Sequence, residues 1–232
     1  MAKIVLSIVS HGQQELVNQL LLSIDDYLIS RKHNIKILVT ENMNKYWSAS
    51  SSVYDLKMIY NLRLKGFGQN HNSNFESIES DYFFIVNPDI ILTNKINLDD
   101  IISLMQNDKI DIATPVILNS LYIKEDYARA DLTFFNLIGR LFYRKPSKKV
   151  DWFAGMFLIL RSESFRYING FDPKFYMYVE DCDLCKRAKL AGMKLHEIDN
   201  MFVVHAAQRQ SHKSMKYFLW HVSSLLRYWR LL

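Results

Sequence analysis

Asn87, Pro88 and Asp89 interrupt an apolar run, "DYFFIVNPDIIL", at residues 81–92. Proline has no N–H to give a sheet ladder, so a strand must end or reach an edge there. An acid just past a buried strand is placed to bind a divalent cation that also touches phosphates; the alternative is a solvated Asx-type turn. A second group, "FYMYVEDCDLCKRA", carries Glu180, Asp181 and Asp183, with Asp172 upstream. One acid suffices to cap a following helix, and the surplus points to a carboxylate kept available as a base. His205 is either structural or, beside Asp89, able to meet a metal or a diphosphate. Cys182 and Cys185 have no second C-x-x-C to complete a zinc site. They read as i, i+3 neighbours on a helix, one packed inward, in a reducing compartment.

The elements that must position these residues are legible as alternating patterns. "KIVLSIV" (3–9), "IKILVT" (35–40) and "YFFIV" (82–86) read as strands, and "SVYDLKMIYN" hides a short one ending near Asn61. Leu16, Leu20, Ile24 and Leu28 recur at helical spacing, and "GFGQNHNSNFESIES" is a glycine turn followed by a helix. "IDIATPVIL" and "KLHEIDNMFVVH" add strands, "WFAGMFLILR" reads as one continuous strand, and Gly170 and Gly192 stop two helices. Residues 120–150 read as an irregular basic and aromatic insertion. Such alternation predicts an α/β fold around a mostly parallel sheet covered on both faces. Ligands bind outside the carboxyl ends of strands in these sheets. Ser10, His11, Gly12, Glu41, Asn42, Gly66, Phe67, Gly68, Asn87 and Asp89 all fall at that edge.

Length favours one domain: the chain has 232 residues of ordinary globular composition. "MAKIVLSIVSHG" reads as a first strand, not a signal peptide. No apolar run reaches the ~18 residues that span a bilayer, so a cytoplasmic protein is expected. Net charge is +5, and after Asp199 the chain has no acid while Arg209, Lys213, Lys216, Arg227 and Arg230 follow. With the cluster "RLFYRKPSKK" at 140–149, this asymmetry suggests an anionic partner: nucleic acid, a phosphate-bearing substrate or an anionic membrane. Nucleic acid would explain the tail but not the acids at the sheet edge. Phe218, Val222, Leu225 and Trp229 share one helical face, opposite Lys216, Ser223, Arg227 and Arg230. That helix lies either in a membrane interface or docked on the domain.

Together the motifs resemble glycosyltransferase family 2, enzymes of the GT-A fold, and most nearly its rhamnosyltransferase-like branch in bacterial surface-polysaccharide synthesis. "KGFGQNHN" (65–72), "FFIVNPDIIL" (83–92) and "WFAGMFLILRSESFRYINGFDPKFYMYVEDCDLCKRAKLAGMKL" (152–195) carry the likeness, which runs from about Lys3 to His205. The resemblance implies a GT-A domain over 1–205, a single Rossmann-like unit, and a C-terminal amphipathic extension over 206–232. It implies Asp89 as the metal ligand ending a D-x-D element, with Asn87, at its first position, helping to hold ribose or sugar. Asp181 matches the base of the "ED" element, and His205 a histidine near the diphosphate and metal. Ser10 falls on the first nucleotide-binding loop, Gly66 and Asn72 on the next, and Glu41 where an Asp often meets the base. Two departures are visible: Asn87 replaces an acid, as in other N-P-D members, and Glu41 is longer than Asp.

The resemblance further implies Mg2+ or Mn2+ and a nucleotide diphosphate sugar donor, dTDP-linked (rhamnose first) or UDP-linked. Inversion by a single displacement is expected, onto a glycan or polyprenyl-diphosphate-linked acceptor. The expected location is the cytoplasm, at an anionic membrane's inner face, with no nucleic-acid partner. The alternatives are a nucleotidyltransferase and a non-catalytic nucleotide-sugar-binding subunit.

Overall fold

The computed structural model describes residues 1–28, 32–43, 45–133, 150–206 and 215–230; the basic cluster at 140–149 lies outside them. Strands β1 (Lys3–Ser10), β2 (Asn34–Glu41), β3 (Asp55–Tyr60) and β4 (Tyr82–Val86) alternate with helices α1 (Gln14–Tyr27) and α2 (Phe67–Glu76). Then come β5 (Ile90–Ile91), α3 (Leu98–Asn107), β6 (Ile112–Asn119), β7 (Ala128–Arg129), β8 (Trp152–Phe153) and β9 (Phe157–Arg161). Helix α4 (Ser162–Tyr167), α5 (Glu180–Leu190), strand β10 (Leu195–His205) and helix α6 (Met215–Arg230) complete the order.

The main sheet runs β3-β2-β1-β4-β9-β6-β10-β5. Strands β1 to β4 are parallel, as are β6 and β10, while β9 and β5 run against their neighbours. The sheet is therefore mostly parallel, and the order reverses about β1, so the ends of β1, β2 and β4 flank the crevice where such sheets bind ligands. Every residue of β4, "YFFIV", is buried, as expected of a central strand covered on both faces. Each such side chain contributes roughly 1.5–3 kcal/mol of hydrophobic stabilisation. Phe75, Phe83, Phe165 and Phe171 form an edge-to-face and stacked aromatic cluster beneath α2 and α4.

"WFAGMFLILR" is not one strand. Ala154, Gly155 and Met156 form a turn between β8 and β9, and β9 is antiparallel to β4. A local apolar pattern gives no sign of this reversal, because strand direction is set by partners distant in sequence. Strand β10 also breaks: its register against β6 shifts between Ile198 and Phe202. Ile198 faces Pro115 there, and a proline cannot donate to the ladder, so the pairing opens at that point. Beyond the shift His205 pairs with Asn119 on one side and Ile90 on the other, which brings it to the N-P-D turn.

Helix α6 docks on the domain. Ser224, Leu225 and Tyr228 are buried, Ser224 Oγ donates to Met177 O at 2.9 Å, and Trp229 Nε1 to Leu132 O at 2.8 Å. Tyr228 OH bonds Asp131. Of the face expected to be apolar, Leu225 is buried against the domain, and the neighbouring Tyr228 is buried with it. No helix among the described residues is long and apolar enough to cross a membrane.

Candidate active site

The N-P-D break is a tight turn. Asn87 closes it by accepting from Ile90 N at 3.2 Å, with Pro88 at the second position that its fixed φ suits. Asn87 N donates to Met156 O at 2.9 Å, and the adjacent Gly155 N donates to Asp181 Oδ2 at 3.0 Å. Two hydrogen bonds through one turn thus join the N-P-D element to the acid of the "ED" element. Asp89 Oδ2 lies 3.1 Å from His205 Nε2. Asp89 Oδ1 is buried without a hydrogen-bond partner, an orphaned acceptor of the kind that calls for an ion or water.

The acids of residues 172–183 have separate fates. Asp172 accepts from Lys174 N at 2.9 Å, a local turn contact. Asp183 holds Arg187 Nε at 2.8 Å, and Arg187 then ties Ile168 O and Gly170 O. Glu180 is buried with Oε2 unpartnered; burial, with the neighbouring Asp181 charge, pushes its pKa well above the ordinary Glu value. Asp181 accepts from Gly155 N and Cys182 N. Burial raises its pKa too, against the pull of the Gly155 hydrogen bond and the Arg129 charge. Through Gly155 and Met156 it is joined by hydrogen bonds to the N-P-D turn. Neither Asp181 nor Asp183 caps α5, whose N-cap is Val179 with no side-chain hydrogen bond.

Ser10 and Glu41, at the ends of paired strands, do meet: Ser10 Oγ donates to Glu41 Oε2 at 2.8 Å. Glu41 also accepts from Gly12 N, Met43 N and Trp47 Nε1 and is fully buried. Its carboxylate binds the protein's own loops together, so a nucleotide base would meet it only by displacing one of these donors. Gly66 stands where a Cβ would lie 2.5 Å from Tyr176 O, and Phe67 N donates to that carbonyl at 3.0 Å. Glycine is required there because the start of α2 lies directly against the segment leading to Asp181. Asn72 does not join this edge: its amide accepts from Phe171 N and donates to Phe171 O, which fixes packing behind the crevice. The α2 asparagine that does serve the edge is Asn70.

Asn42, Asn61 and Asn70 form a buried amide network that sequence reading did not single out for chemistry. Asn61 Nδ2 donates to Asn42 Oδ1 at 2.8 Å and to Asn70 Oδ1 at 2.6 Å, and Asn42 and Asn70 both donate to Lys65 O. The recurrence of asparagine just past β2, β3 and the glycine turn was the available signal. The two cysteine thiols are free and both buried, and burial raises their pKa values, leaving them unreactive packing groups.

A divalent cation suits this edge. Asp89 brings a buried carboxylate oxygen without a partner and His205 an imidazole nitrogen beside it, an oxygen and nitrogen donor set of the kind that Mg2+ or Mn2+ accepts. Among the described residues no three His, Cys, Asp or Glu side chains could hold a metal together. Asp89 and His205 would therefore hold it with ligands supplied by the substrate.

Residues 140–213 match the family profile for the N-terminal domain of galactosyltransferase. The chain is 28% identical, over 95% of its length and 90% of the relative's, to rhamnosyltransferase WbbL of Escherichia coli (strain K12). A 62-residue stretch, 26% of this chain and 20% of the relative, is 36% identical to the N-acetylglucosaminyl-diphospho-decaprenol L-rhamnosyltransferase of Mycobacterium tuberculosis. Among solved structures, GalNAc-T7 with UDP, GalNAc and Mn2+ aligns with TM-score 0.70 at 17% identity, over 90% of this chain and 44% of that one. The mannosyltransferase PcManGT of Pyrobaculum calidifontis with GDP-Man and Mn2+ aligns with TM-score 0.64 at 12% identity, over 98% and 64%. The chain thus spans less than two thirds of either structure. The fold is GT-A, and with the likeness to a rhamnosyltransferase along nearly the whole chain, this protein is a glycosyltransferase.

Proposed function

We propose that this enzyme transfers a sugar, rhamnose in the first instance, from a nucleotide diphosphate donor to a glycan acceptor with inversion at the anomeric carbon. The dTDP-linked donor is the first candidate and a UDP-sugar the second. The observation that carries this reading is the hydrogen-bonded path from Asn87 through Met156 and Gly155 to Asp181. It ties the Asp181 carboxylate to the turn that bears Asp89, which supports a role for it as the base. A Mg2+ or Mn2+ ion, when bound, would neutralise the leaving diphosphate. Asp181 would take the proton of the attacking acceptor hydroxyl. Glu180 is buried, and burial raises its pKa, which disfavours it as a second nucleophile and favours one displacement over two. Asn87 and Gly66, at the crevice, would lie against the donor, and Ser10 and Glu41 would shape the loop around its base.

The acceptor is proposed to be linked to a polyprenyl diphosphate, as the name of the mycobacterial relative states for that protein. Helix α6 supports contact with an anionic membrane at the cytoplasmic face: opposite its docked side it exposes Leu219, Leu226, Arg227 and Arg230. Asp181→Asn is expected to lower turnover at least 10³-fold, of the order of general-base catalysis, while dTDP or UDP binding by calorimetry stays unchanged. Turnover within tenfold of wild type would remove Asp181 from the role of base. A nucleotidyltransferase would instead release pyrophosphate from a nucleoside triphosphate, and the released product distinguishes the two.

A further inference from the structure

Glu125 lies in the stretch between β6 and β7, outside every motif of the family resemblance, yet it reaches the cation edge. Its Oε2 is 3.1 Å from His205 Nδ1, on the side of the ring opposite Asp89. All three side chains are largely enclosed, with 13% of His205, 18% of Asp89 and 21% of Glu125 exposed. We propose that Glu125 is a positioning residue for the cation: it fixes the His205 ring so that Nε2 faces the ion beside Asp89. This rests on the cation-dependent reading above.

The two nitrogens of an imidazole point away from each other, so Glu125 and Asp89 cannot share one ion through it. That geometry excludes Glu125 as a direct ligand. It leaves the role that metal-binding histidines commonly require, an acceptor for the far N–H that sets tautomer and ring orientation. The support for Glu125 is rigid. Glu125 N donates to Ile117 O at 2.9 Å, and the preceding turn is closed by Asn119 Oδ1, which accepts from Leu121 N and Ile123 N. The adjacent Lys124 ammonium is engaged by Glu197 at 2.5 Å. A carboxylate carried on a backbone anchored this way presents its oxygen to the imidazole from a fixed base.

The competing explanation is a plain ion cluster, in which Glu125 contributes charge or packing and nothing through His205. A double-mutant cycle separates the two. The full chain is titrated with MnCl2 in the presence of dTDP and, separately, UDP, and free Mn2+ is followed by electron paramagnetic resonance. Glu125→Ala is expected to weaken Mn2+ binding by about 10- to 100-fold, and Glu125→Gln, which retains an acceptor, to recover part of that loss. In a His205→Ala background, Glu125→Ala should cost nothing further, because its effect passes through the missing ring. Wild-type affinity in Glu125→Ala, or a loss that adds in full to that of His205→Ala, would overturn the proposal. A wild-type chain that binds no Mn2+ with either nucleotide would overturn the cation reading and this inference with it. Circular dichroism melting checks each fold; should Glu125→Ala not fold, Glu125→Gln carries the cycle, with an expected loss of about threefold or more on the same grounds.

Discussion

Asp181 accepts two backbone N–H groups and feels the Arg129 charge, all of which favour its ionised form, yet burial outweighs them and raises its pKa. A carboxylate so held, proposed here as the base, loses its proton only above the ordinary Asp value of about 3.9. The acid limb of turnover should therefore lie above that value, with activity rising as pH rises through it. Removing the Arg129 charge takes away a group that stabilises the anion, so Arg129→Ala should move this limb to still higher pH. Initial rates of nucleoside diphosphate release against pH test this; a limb that stays in place or falls would show that another group titrates. The residue pattern disclosed the acid cluster, and the family resemblance pointed to Asp181, but neither showed the different partners of each acid. Asp183 is bound to Arg187, four residues on, a pairing that the sequence does contain. The burial of Glu180, in contrast, depends on tertiary packing that no local pattern encodes.

Helix α6 packs on the segment before α5. Tyr178 and Val179 both have positive φ, 68° and 70°, a conformation that is unusual for a β-branched residue and costs of order 1–3 kcal/mol each. The helix holds this segment by the Ser224 hydrogen bond to Met177 O and by ring contacts of Tyr176 with Trp220 and Tyr178 with His221. Releasing the clamp should let the strain relax and shift Asp181 off its position. The double change Ser224→Ala and His221→Ala is expected to lower kcat about tenfold, given the sensitivity of positioned groups to small displacements, with donor-nucleotide affinity unchanged. Val179→Gly, which relieves the strain, should restore part of the rate, and equal kcat in the clamp variant would refute the coupling. On the outer face, Leu219→Glu with Leu226→Glu should abolish sedimentation with anionic liposomes and leave kcat on a soluble acceptor intact; retained sedimentation would exclude this face as the membrane contact. The amphipathic pattern of the tail was readable, but which of its two partners it meets was not, because a docked and a membrane-bound helix share one periodicity.

Across the whole molecule, the crevice stands on a buried polar column as well as on an apolar core. Thr40 on β2 donates to Asn74, Asn74 to Ser7 on β1, and Ser7 Oγ lies 2.8 Å from His71 Nδ1 on α2. The His71 ring packs edge-on against Phe67, which in turn lies against Gly155, the donor to Asp181. The strands carrying this column were evident from their apolar runs, and the N-P-D edge from its proline. His71 and Glu125 were not, since each acquires its role from partners 64 and 80 residues away. His71 is fully buried, and burial, reinforced by His11, lowers its pKa from 6.5 to about 3. The unfolded chain therefore binds a proton that the folded one refuses between about pH 6.5 and pH 3, so this residue withdraws stability as pH falls through that window. At 1.36 kcal/mol per pH unit, the loss between pH 7.5 and pH 5 is roughly 2 kcal/mol from this group. His71→Asn places an uncharged amide nitrogen near Nδ1 and cannot take up the proton. Urea unfolding should find the variant less stable than wild type at pH 7.5 but less acid-sensitive, its stability falling by about 2 kcal/mol less on going to pH 5. An identical acid dependence in both proteins would mean that His71 is protonated in the folded state, and that the column beneath the crevice is charged rather than neutral.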